Sequence, residues 1–233
     1  MVQAFNERSV DVDEFLKTAF ELKNHLARYL QITVDALEGF FPNGSETLAA
    51  LHPGSFEPDN VSSFYESTVG TAHLIELAAW HLGSSNYIAD TLRLQEMFAR
   101  GRVLDFGGGI GTHALAAAAL PDVEHVWFVD LNPDNRSFVQ YRAETLGLNN
   151  RISFCRDLCE IKNTSFETII CLDVLEHLPD PGAQLLAFLE RMNPDATVLL
   201  NWYFFKGYRD EYPFHFDDPE LIEKFFLTLQ RNF

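Results

Sequence analysis

Apolar positions in the first hundred residues recur at the spacing of helices. Between Val12 and Glu38 they follow one another at intervals of three and four residues, which predicts an amphipathic helix, continuous or broken: Val12, Phe15, Leu16, Ala19, Leu22, Leu26, Tyr29, Leu30 and Leu37. Prolines and glycines predict a loop region over residues 43–60. Two more helices are expected over 62–82 and 85–99, so this whole part of the chain should be helical.

From residue 100 onward, short apolar runs alternate with helical stretches. The pattern predicts strands that begin at Val103 and that cover 125–131, 152–155, 166–172 and 196–204, with helices over 112–120, 181–192 and 218–231. This alternation is typical of an α/β domain with a Rossmann-like, doubly wound, mainly parallel sheet. We therefore predict an N-terminal all-helical cap over residues 1–99 and a Rossmann-like domain over 100–233.

The first predicted strand ends in an acid and a glycine-rich turn. Residues 103–112 have the sequence VLDFGGGIGT, and three alternate glycines remove side chains where the backbone turns and approaches a ligand: Gly107, Gly109 and Gly111. Together with Asp105, they favour a nucleotide-like cofactor at the start of the following helix over a simple tight turn. A dinucleotide fingerprint would need a glycine at position 112, where this chain has Thr112.

Carboxylates also follow the other predicted strands. Asp130 ends the second strand, one strand–helix–strand unit after Asp105, where a carboxylate can accept ribose hydroxyls. Asp157 follows the third strand and could equally be a local cap. Asp173 follows the fourth strand, at the switch region where open parallel sheets bind ligands.

Two motifs resemble those of class I S-adenosylmethionine-dependent methyltransferases. They are D-x-G-G-G-x-G at 105–111 and DVLEHLPDP at 173–181, and the second is closely similar to the post-strand motif of small-molecule, ubiquinone-pathway-like members. The resemblance covers roughly residues 100–233 and implies S-adenosylmethionine as cofactor and S-adenosylhomocysteine as product. It implies that Asp105 reaches the methionine part and that Asp157 and Leu158 flank the adenine. The cofactor-binding set is then Asp105, Gly107, Gly109, Gly111, Asp130, Leu131, Asp157, Leu158 and Asp173.

Composition narrows the class of substrate. Lys and Arg number 17 against 34 Asp and Glu, and the formal charge of -17 repels phosphate backbones and anionic lipid. We therefore expect neither a nucleic-acid nor a membrane-surface substrate. The three cysteines lack C-x-x-C spacing, so no metal site is predicted and a reducing cytoplasm is the expected location. No targeting segment or membrane span is recognised.

The segment 202–216 is unusually aromatic. Nine of its fifteen residues are aromatic or histidine, which is too dense for a solvated loop. Either it forms the pocket of an apolar or aromatic acceptor, or it packs beneath the helical cap or against a partner subunit. Candidate acceptor contacts are Tyr208, Phe214 and Tyr87, with Tyr65 and His73 on helices that could face the same pocket. Candidate general bases are His177 and His215.

These observations favour methyl transfer to a small-molecule acceptor by direct in-line displacement, with the methylated atom left open. The alternatives are a catalytically silent, cofactor-binding or oligomerising relative, and a Rossmann oxidoreductase. The hairpin that completes the seven-stranded sheet of the family does not fit after the helix at 218–231. We therefore expect either a truncated chain, which we favour, or a homodimer in which a second copy covers the edge of the strand at 196–204.

Overall fold

The computed structural model describes residues 5–6, 9–10, 12–51, 56–209 and 212–233. In the first hundred residues the helices are α1 Val12–Thr18, α2 Leu22–Tyr29, α3 Val34–Phe40, α4 Gly44–Ala50, α5 Gly70–Gly83 and α6 Ser85–Phe98. A short helical segment, Val61–Ser63, and a π-helical turn, Phe64–Thr68, lead into α5. From Gly101 onward the α-helices and strands are β1 Gly101–Phe106, α7 Thr112–Ala119, β2 Val123–Val129, α8 Pro133–Leu146, β3 Ile152–Cys155, β4 Phe166–Cys171, α9 Pro181–Leu189, β5 Met192–Leu200 and α10 Pro219–Asn232.

Strands β1 to β5 form one parallel sheet in the order β3-β2-β1-β4-β5. The chain starts at the centre, fills one side and then crosses to the other, so the carboxyl ends of β1 and β4 meet at the topological switch point. Helices cover the sheet, and its central strands are apolar because they are buried. The predicted Rossmann-like fold with an N-terminal helical region is confirmed. That region is not all helical, however, because Phe5–Asn6 and Ser9–Val10 pair as a short antiparallel hairpin.

The helical region and the sheet share one apolar core. Phe15, Leu26 and Leu92 from the helices belong to the same buried cluster as Val103 and Phe128 from the sheet. Since about 25 cal/mol is gained for each Å² of apolar surface removed from water, this shared burial holds the helices firmly on the sheet. The helical region therefore lies directly against the glycine-rich turn.

Several predicted boundaries differ from the structure. The stretch 12–38 is broken into α1, α2 and α3, because the backbone turns through left-handed conformations at Ala19, Phe20 and Glu21 and again at Gln31. The loop predicted over 43–60 is wrong in part, since α4 forms there. Gly44 lies close against α5, where a Cβ would come within 3.3 Å of Glu76 Cα, so tertiary packing overrides the local glycine signal.

The fifth strand begins at Met192, earlier than the predicted 196, and ends at Leu200. Because proline is rare inside strands, the sequence pattern predicts no strand across Pro194. The strand tolerates this proline because β5 lies at the edge of the sheet. No residue of β5 is fully buried, and pairing of this edge with a second copy stays a prediction. Across the described ranges, we find no helix with the length and apolarity that crossing a membrane requires.

Candidate functional site

The glycine-rich turn after β1 needs glycine for its backbone and for its packing. Gly107, Gly109 and Gly111 have φ values of 71°, 55° and 75°, the left-handed region that side chains disfavour. A Cβ on Gly109 would come within 3.0 Å of Leu77 Cδ1 on α5, and one on Gly111 would collide with Val139 on α8. The turn is therefore enclosed between a helix of the cap and a helix of the Rossmann-like domain.

Asp105 stands at the end of β1 beside this turn. The residue is 2% exposed, and its Oδ2 has no hydrogen-bond partner among the described residues. Burial, followed by the nearby charge of Asp130, raises the pKa of Asp105 to about 7. An unsatisfied carboxylate oxygen behind a glycine cradle fits a ligand that brings a cationic or hydrogen-bond-donating group.

Asp130, at the end of β2, already accepts several hydrogen bonds. The backbone N–H of Gly109 donates to Oδ2 at 2.9 Å, and that of Asn132 donates to Oδ1 at 2.8 Å. The Asn135 amide donates to both oxygens at 3.2 Å. Burial raises the pKa of Asp130 to about 6, although these hydrogen bonds act to lower it. Because a carboxylate has about four acceptor positions, contact with a ribose would compete with Asn135.

Helix α5 lies along this edge through four positions on one of its faces. The Asn132 amide donates to the carbonyl of Gly70 at 3.0 Å, and the Asn135 amide donates to His73 Nδ1 at 3.2 Å. Leu77 covers Gly109, and His81 Nδ1 lies 3.2 Å from Thr112 Oγ1 at the start of α7. One helix face therefore covers the predicted cofactor-binding edge from β2 to α7.

Asp157 and Leu158 lie in the turn after β3. Asp157 accepts the backbone N–H of Cys159 at 2.9 Å and forms an ion pair with Arg156 at 2.5 Å. Arg156 also reaches across to Glu66 of the cap at 2.5 Å. Asp157 thus makes the contacts of a local cap, one of the two roles that the sequence left open. Leu158 packs against a second buried apolar cluster, which includes Leu104, Ile169 and Phe188. Leu131, partly buried, accepts a hydrogen bond from Arg136 through its carbonyl.

At the carboxyl ends of β4 and β5, Asp173, Tyr87 and Asn201 form a hydrogen-bonded group. The Tyr87 hydroxyl donates to the Asp173 carboxylate at 3.2 Å, and the Asn201 amide donates to Asp173 Oδ1 at 2.6 Å. Asp173 itself has a left-handed φ of 56°. Burial, then the charge of Asp173, raises the pKa of Tyr87 to about 12. Helix α6 is thereby fixed above the switch point.

His177 and His215 come together behind Asp173, with ring centroids 4.7 Å apart. The carbonyl of Phe214 lies 2.9 Å from His177 Nδ1, and that of Phe205 lies 3.1 Å from His215 Nδ1. Because a carbonyl can only accept, each Nδ1 must carry the proton. Burial, followed by the charge of His215, lowers the pKa of His177 to about 3, so this ring stays neutral and its Nε2 keeps a lone pair.

Glu176 completes this cluster. It is 2% exposed, and its Oε2 has no hydrogen-bond partner in the described part of the chain. Burial raises its pKa to about 7. One ligand atom each of Glu176, His177 and His215 lie within 4.8 Å of one another, and this set of one carboxylate and two imidazoles could hold a divalent cation.

The aromatic segment divides between packing and exposure. Phe214 stacks on Phe64 with 4.8 Å between the ring centroids, and Phe216 stacks on Phe56 at 5.6 Å. The predicted packing beneath the cap is therefore present at these two residues. Tyr208 is 95% exposed, and the structure does not bring it to the other candidates.

Tyr65 joins the cap to the histidine cluster. Its hydroxyl lies 3.3 Å from His177 Nδ1, and its ring centroid lies 5.5 Å from that of His73. Burial raises the pKa of Tyr65, and the charges that raise it further are all carboxylates: Glu76, Glu176 and Asp130. The Tyr65 hydroxyl therefore lies in acidic surroundings.

Sequence reasoning missed Asn135, Glu176 and Asn201 as site residues. Asn201 directly follows β5, where the rule that ligands bind at the carboxyl ends of parallel strands could have identified it. Glu176 lies between Asp173 and His177 in a motif that was recognised. For Asn135 no motif pointed to the site, although its contact with Asp130 is local; its contact with His73 depends on the docking of α5.

The part of the chain that contains the parallel sheet matches a known protein family. The profile of a family described as the methyltransferase domain matches residues 79–211. A ubiquinone biosynthesis O-methyltransferase of Xanthomonas euvesicatoria is 30% identical over 117 residues, 49% of this chain and 46% of that protein. One of Xylella fastidiosa is 31% identical over 104 residues, 43% of this chain and 41% of that protein. The matched part thus spans a little under half the length of these curated relatives.

Among solved structures, the (4+2)-cyclase SpnF is similar with a TM-score of 0.50 and 16% sequence identity, over 63% of this chain and 57% of that one. At this identity, the likeness concerns the fold alone. It matches the parallel sheet described above.

Proposed function

The chain belongs to the methyltransferase domain family, among the class I S-adenosylmethionine-dependent enzymes, and on this premise we propose that it methylates a small, aromatic or otherwise apolar acceptor by direct in-line displacement. The observation that carries the proposal is the buried Asp105 beside the glycine-rich turn. Its unpartnered Oδ2 and the left-handed glycines fit the cofactor of the family.

The proposed cofactor contacts lie along one edge of the sheet. Asp105 would hold the ammonium of the methionine part, and Asp130 would hold the ribose once the Asn135 amide yields one acceptor position. Asp157 and Leu158 would flank the adenine, and Asp173 would lie near the methionine end, where Tyr87 and Asn201 fix its carboxylate. When bound, S-adenosylmethionine supplies a methyl group already activated by its sulfonium. The residues of the chain then need mainly to align the acceptor and exclude water.

The proposed acceptor side lies between the cap and the histidine cluster. Tyr65, Tyr87 and Phe214 offer ring surfaces to this proposed cleft, and Glu176, Asp173 and Asp130 would give it a negative potential. An acceptor with a carboxylate or phosphate would be repelled by these groups. We therefore assign to this cleft an acceptor that is uncharged or cationic.

For an acceptor that loses a proton, three groups of the cluster divide the work. His177 keeps an Nε2 lone pair that can accept a hydrogen bond from the acceptor and orient it, and the His215 ring lies edge-on against the His177 ring. Glu176, with its pKa near 7, is better matched to hold the proton at neutral pH than His177, whose pKa is near 3. The proton would then pass to Glu176 Oε2, the oxygen without a partner in the described residues.

A catalytically silent, cofactor-binding relative is the alternative from another functional class. One observation favours it: Leu77 and Asn135 occupy contacts at Gly109 and Asp130 that a cofactor would use. An oxidoreductase is not favoured, because the matched family is that of methyltransferases.

The test combines binding and transfer. Calorimetry should detect S-adenosylhomocysteine binding, and labelled S-adenosylmethionine should transfer its methyl group to catechol or to dopamine. 3,4-Dihydroxybenzoate, the carboxylated analogue of catechol, should show a kcat/KM at least about tenfold lower, equivalent to about 1.4 kcal/mol. Binding without transfer to any of a broad acceptor panel would support the silent alternative. Equal use of the carboxylated analogue would contradict the charge assignment.

A further inference from the structure

We infer that Arg142 is a positioning residue that couples the turn between α1 and α2 to the glycine-rich turn, so that cofactor binding and ordering of the N-terminal helices favour one another. The inference rests on the proposed cofactor site. It concerns a buried side chain that does not itself belong to that site.

Arg142 joins two segments that are far apart in the chain. It lies on α8 and is fully buried. Nη1 donates to the carbonyl of Ile110 at 2.9 Å, and Nη2 donates to the carbonyls of Ala19 and Phe20 at 3.2 and 3.1 Å. Because the guanidinium is a rigid planar fork, a shift of one set of carbonyls changes the geometry at the other.

The charge of Arg142 is balanced by backbone dipoles. No carboxylate of the described residues lies within ion-pair distance of it, and its Nε has no hydrogen-bond partner there. Burial lowers the pKa of Arg142 to about 9. A buried cation without an acidic partner is costly, so the three carbonyls stabilise it, together with the Phe138 ring, whose centroid lies 5.8 Å from the guanidinium carbon.

On the cap side, Arg142 holds a strained turn. Ala19, Phe20 and Glu21 have φ values of 48°, 55° and 59°, although none of them is glycine. In this region the Cβ atom crowds the backbone, so such residues persist only where the surroundings fix them. The guanidinium binds two carbonyls of this turn and thereby fixes the angle between α1 and α2.

On the cofactor side, Arg142 fixes the middle of the glycine-rich turn. Ile110 lies between Gly109, whose N–H donates to Asp130, and Gly111, whose Cα faces Val139 one turn before Arg142 on α8. A ligand that orders this turn also orders the Ile110 carbonyl. Thermodynamic linkage makes this coupling reciprocal. The free energy by which the bound ligand stabilises the arrangement of Arg142 and the α1–α2 turn equals the free energy by which that arrangement strengthens ligand binding.

Hydrogen exchange of the whole chain with and without S-adenosylhomocysteine tests this coupling. None of the proposed cofactor contacts lies in residues 12–29, yet the ligand should slow amide exchange there at least about threefold in the wild type. Arg142→Lys keeps the charge but loses the fork. It should abolish this response and weaken calorimetric binding of S-adenosylhomocysteine at least about tenfold.

Arg151→Lys is the matched control. Arg151 Nη2 also donates to backbone carbonyls, at Leu120 with 3.0 Å and at Val123, but at the amino end of β2, away from the glycine-rich turn. It should keep both the exchange response and the affinity, whatever its thermal stability. A merely structural role of Arg142 would lower baseline protection but leave the ligand-dependent difference intact.

Wild-type protein that binds S-adenosylhomocysteine without slower exchange over 12–29 would overturn the coupling, even if Arg142→Lys fails to fold. An intact exchange response in Arg142→Lys would overturn it as well. Lack of calorimetric binding by the wild type would instead overturn the proposed function, and the coupling with it.

Discussion

The carboxylate of Asp130 accepts the backbone N–H of Gly109 at 2.9 Å, which joins the end of β2 to the turn that follows β1. The acid proposed to hold the ribose is therefore also part of the scaffold of the glycine-rich turn. Changes at this residue should affect both ligand binding and folding.

Replacing Asp130 by Ala should weaken S-adenosylhomocysteine binding at least about tenfold and lower the free energy of unfolding by about 1–3 kcal/mol, since three buried donors lose their acceptor. Calorimetry and urea unfolding measure the two effects. Asp90→Ala, which removes an exposed ion pair with Arg93, is the control and should change neither by much. Wild-type affinity in Asp130→Ala would contradict the proposed ribose contact.

Gly109→Ala should separate packing from ligand contact. The added Cβ meets Leu77 and adopts a left-handed conformation, so we expect a loss of about 1–2 kcal/mol in unfolding free energy. Leu77→Ala removes the side chain that the new Cβ meets. Gly109→Ala should therefore lower the unfolding free energy less in a Leu77→Ala background than in the wild type. Adding Leu77→Ala should not restore affinity for S-adenosylhomocysteine. Full recovery of affinity in the double variant would mean that Gly109 serves the packing of α5 alone.

Binding of S-adenosylhomocysteine should tighten as the pH rises from about 5 to 8. In the free protein Asp105 has a pKa of about 7, so it is mostly protonated below that pH. An ammonium beside it favours the carboxylate and lowers its pKa in the complex, so binding releases a proton, and the affinity rises up to about tenfold per pH unit. Calorimetry over this range tests the slope. Asp105→Asn should flatten it, and an affinity that falls with pH would contradict the contact.

Glu176→Gln should lower kcat at least about a hundredfold if Glu176 takes the acceptor proton, with little change in S-adenosylhomocysteine affinity. His177→Ala and His215→Ala should have smaller effects on kcat and larger effects on the acceptor KM. Glu190→Gln, an exposed change at the end of α9, is the control. Full activity of Glu176→Gln would return the role of base to the histidines.

Methyl transfer should survive dialysis against a chelator, because the sulfonium methyl group needs no metal for its activation. The donor set of Glu176, His177 and His215 makes this a demanding test. Loss of activity that Mg²⁺, Mn²⁺ or Zn²⁺ restores would show instead that the cluster binds a metal in the working enzyme.

Replacing two aromatic residues of the segment 202–216 should affect the unfolding free energy to different extents. Phe214→Ala should lower the unfolding free energy by about 1–3 kcal/mol, because its ring stacks on Phe64 and contacts Phe56 at 5.2 Å. Tyr208→Ala should change it by less than about 0.5 kcal/mol, since this side chain is 95% exposed. Urea unfolding checks both, and the reverse order would contradict the packing described here.

The proposed cofactor-binding edge of the sheet was predictable, because the order of parallel strands alone brings its residues together. Asp105, Asp130 and Asp173 each end or follow an apolar run, and parallel strands place such ends side by side. The contacts of Arg142 with Ala19 and Phe20, and of Asn135 with His73, were not predictable, since they depend on how the cap docks. Helix α4 was missed for the same reason: Gly44 suits a close contact with α5, whereas the sequence shows it only as part of a turn signal.

The face of α5 that meets the sheet consists of Gly70, His73, Leu77 and His81, at intervals of three, four and four residues. An α-helix turns by about 100° for each residue, so a single insertion after His73 would rotate Leu77 and His81 away from Gly109 and Thr112. A substitution at one of these positions alters one contact, whereas a change of length alters two at once. During divergence, this helix can therefore vary in side chains far more easily than in length.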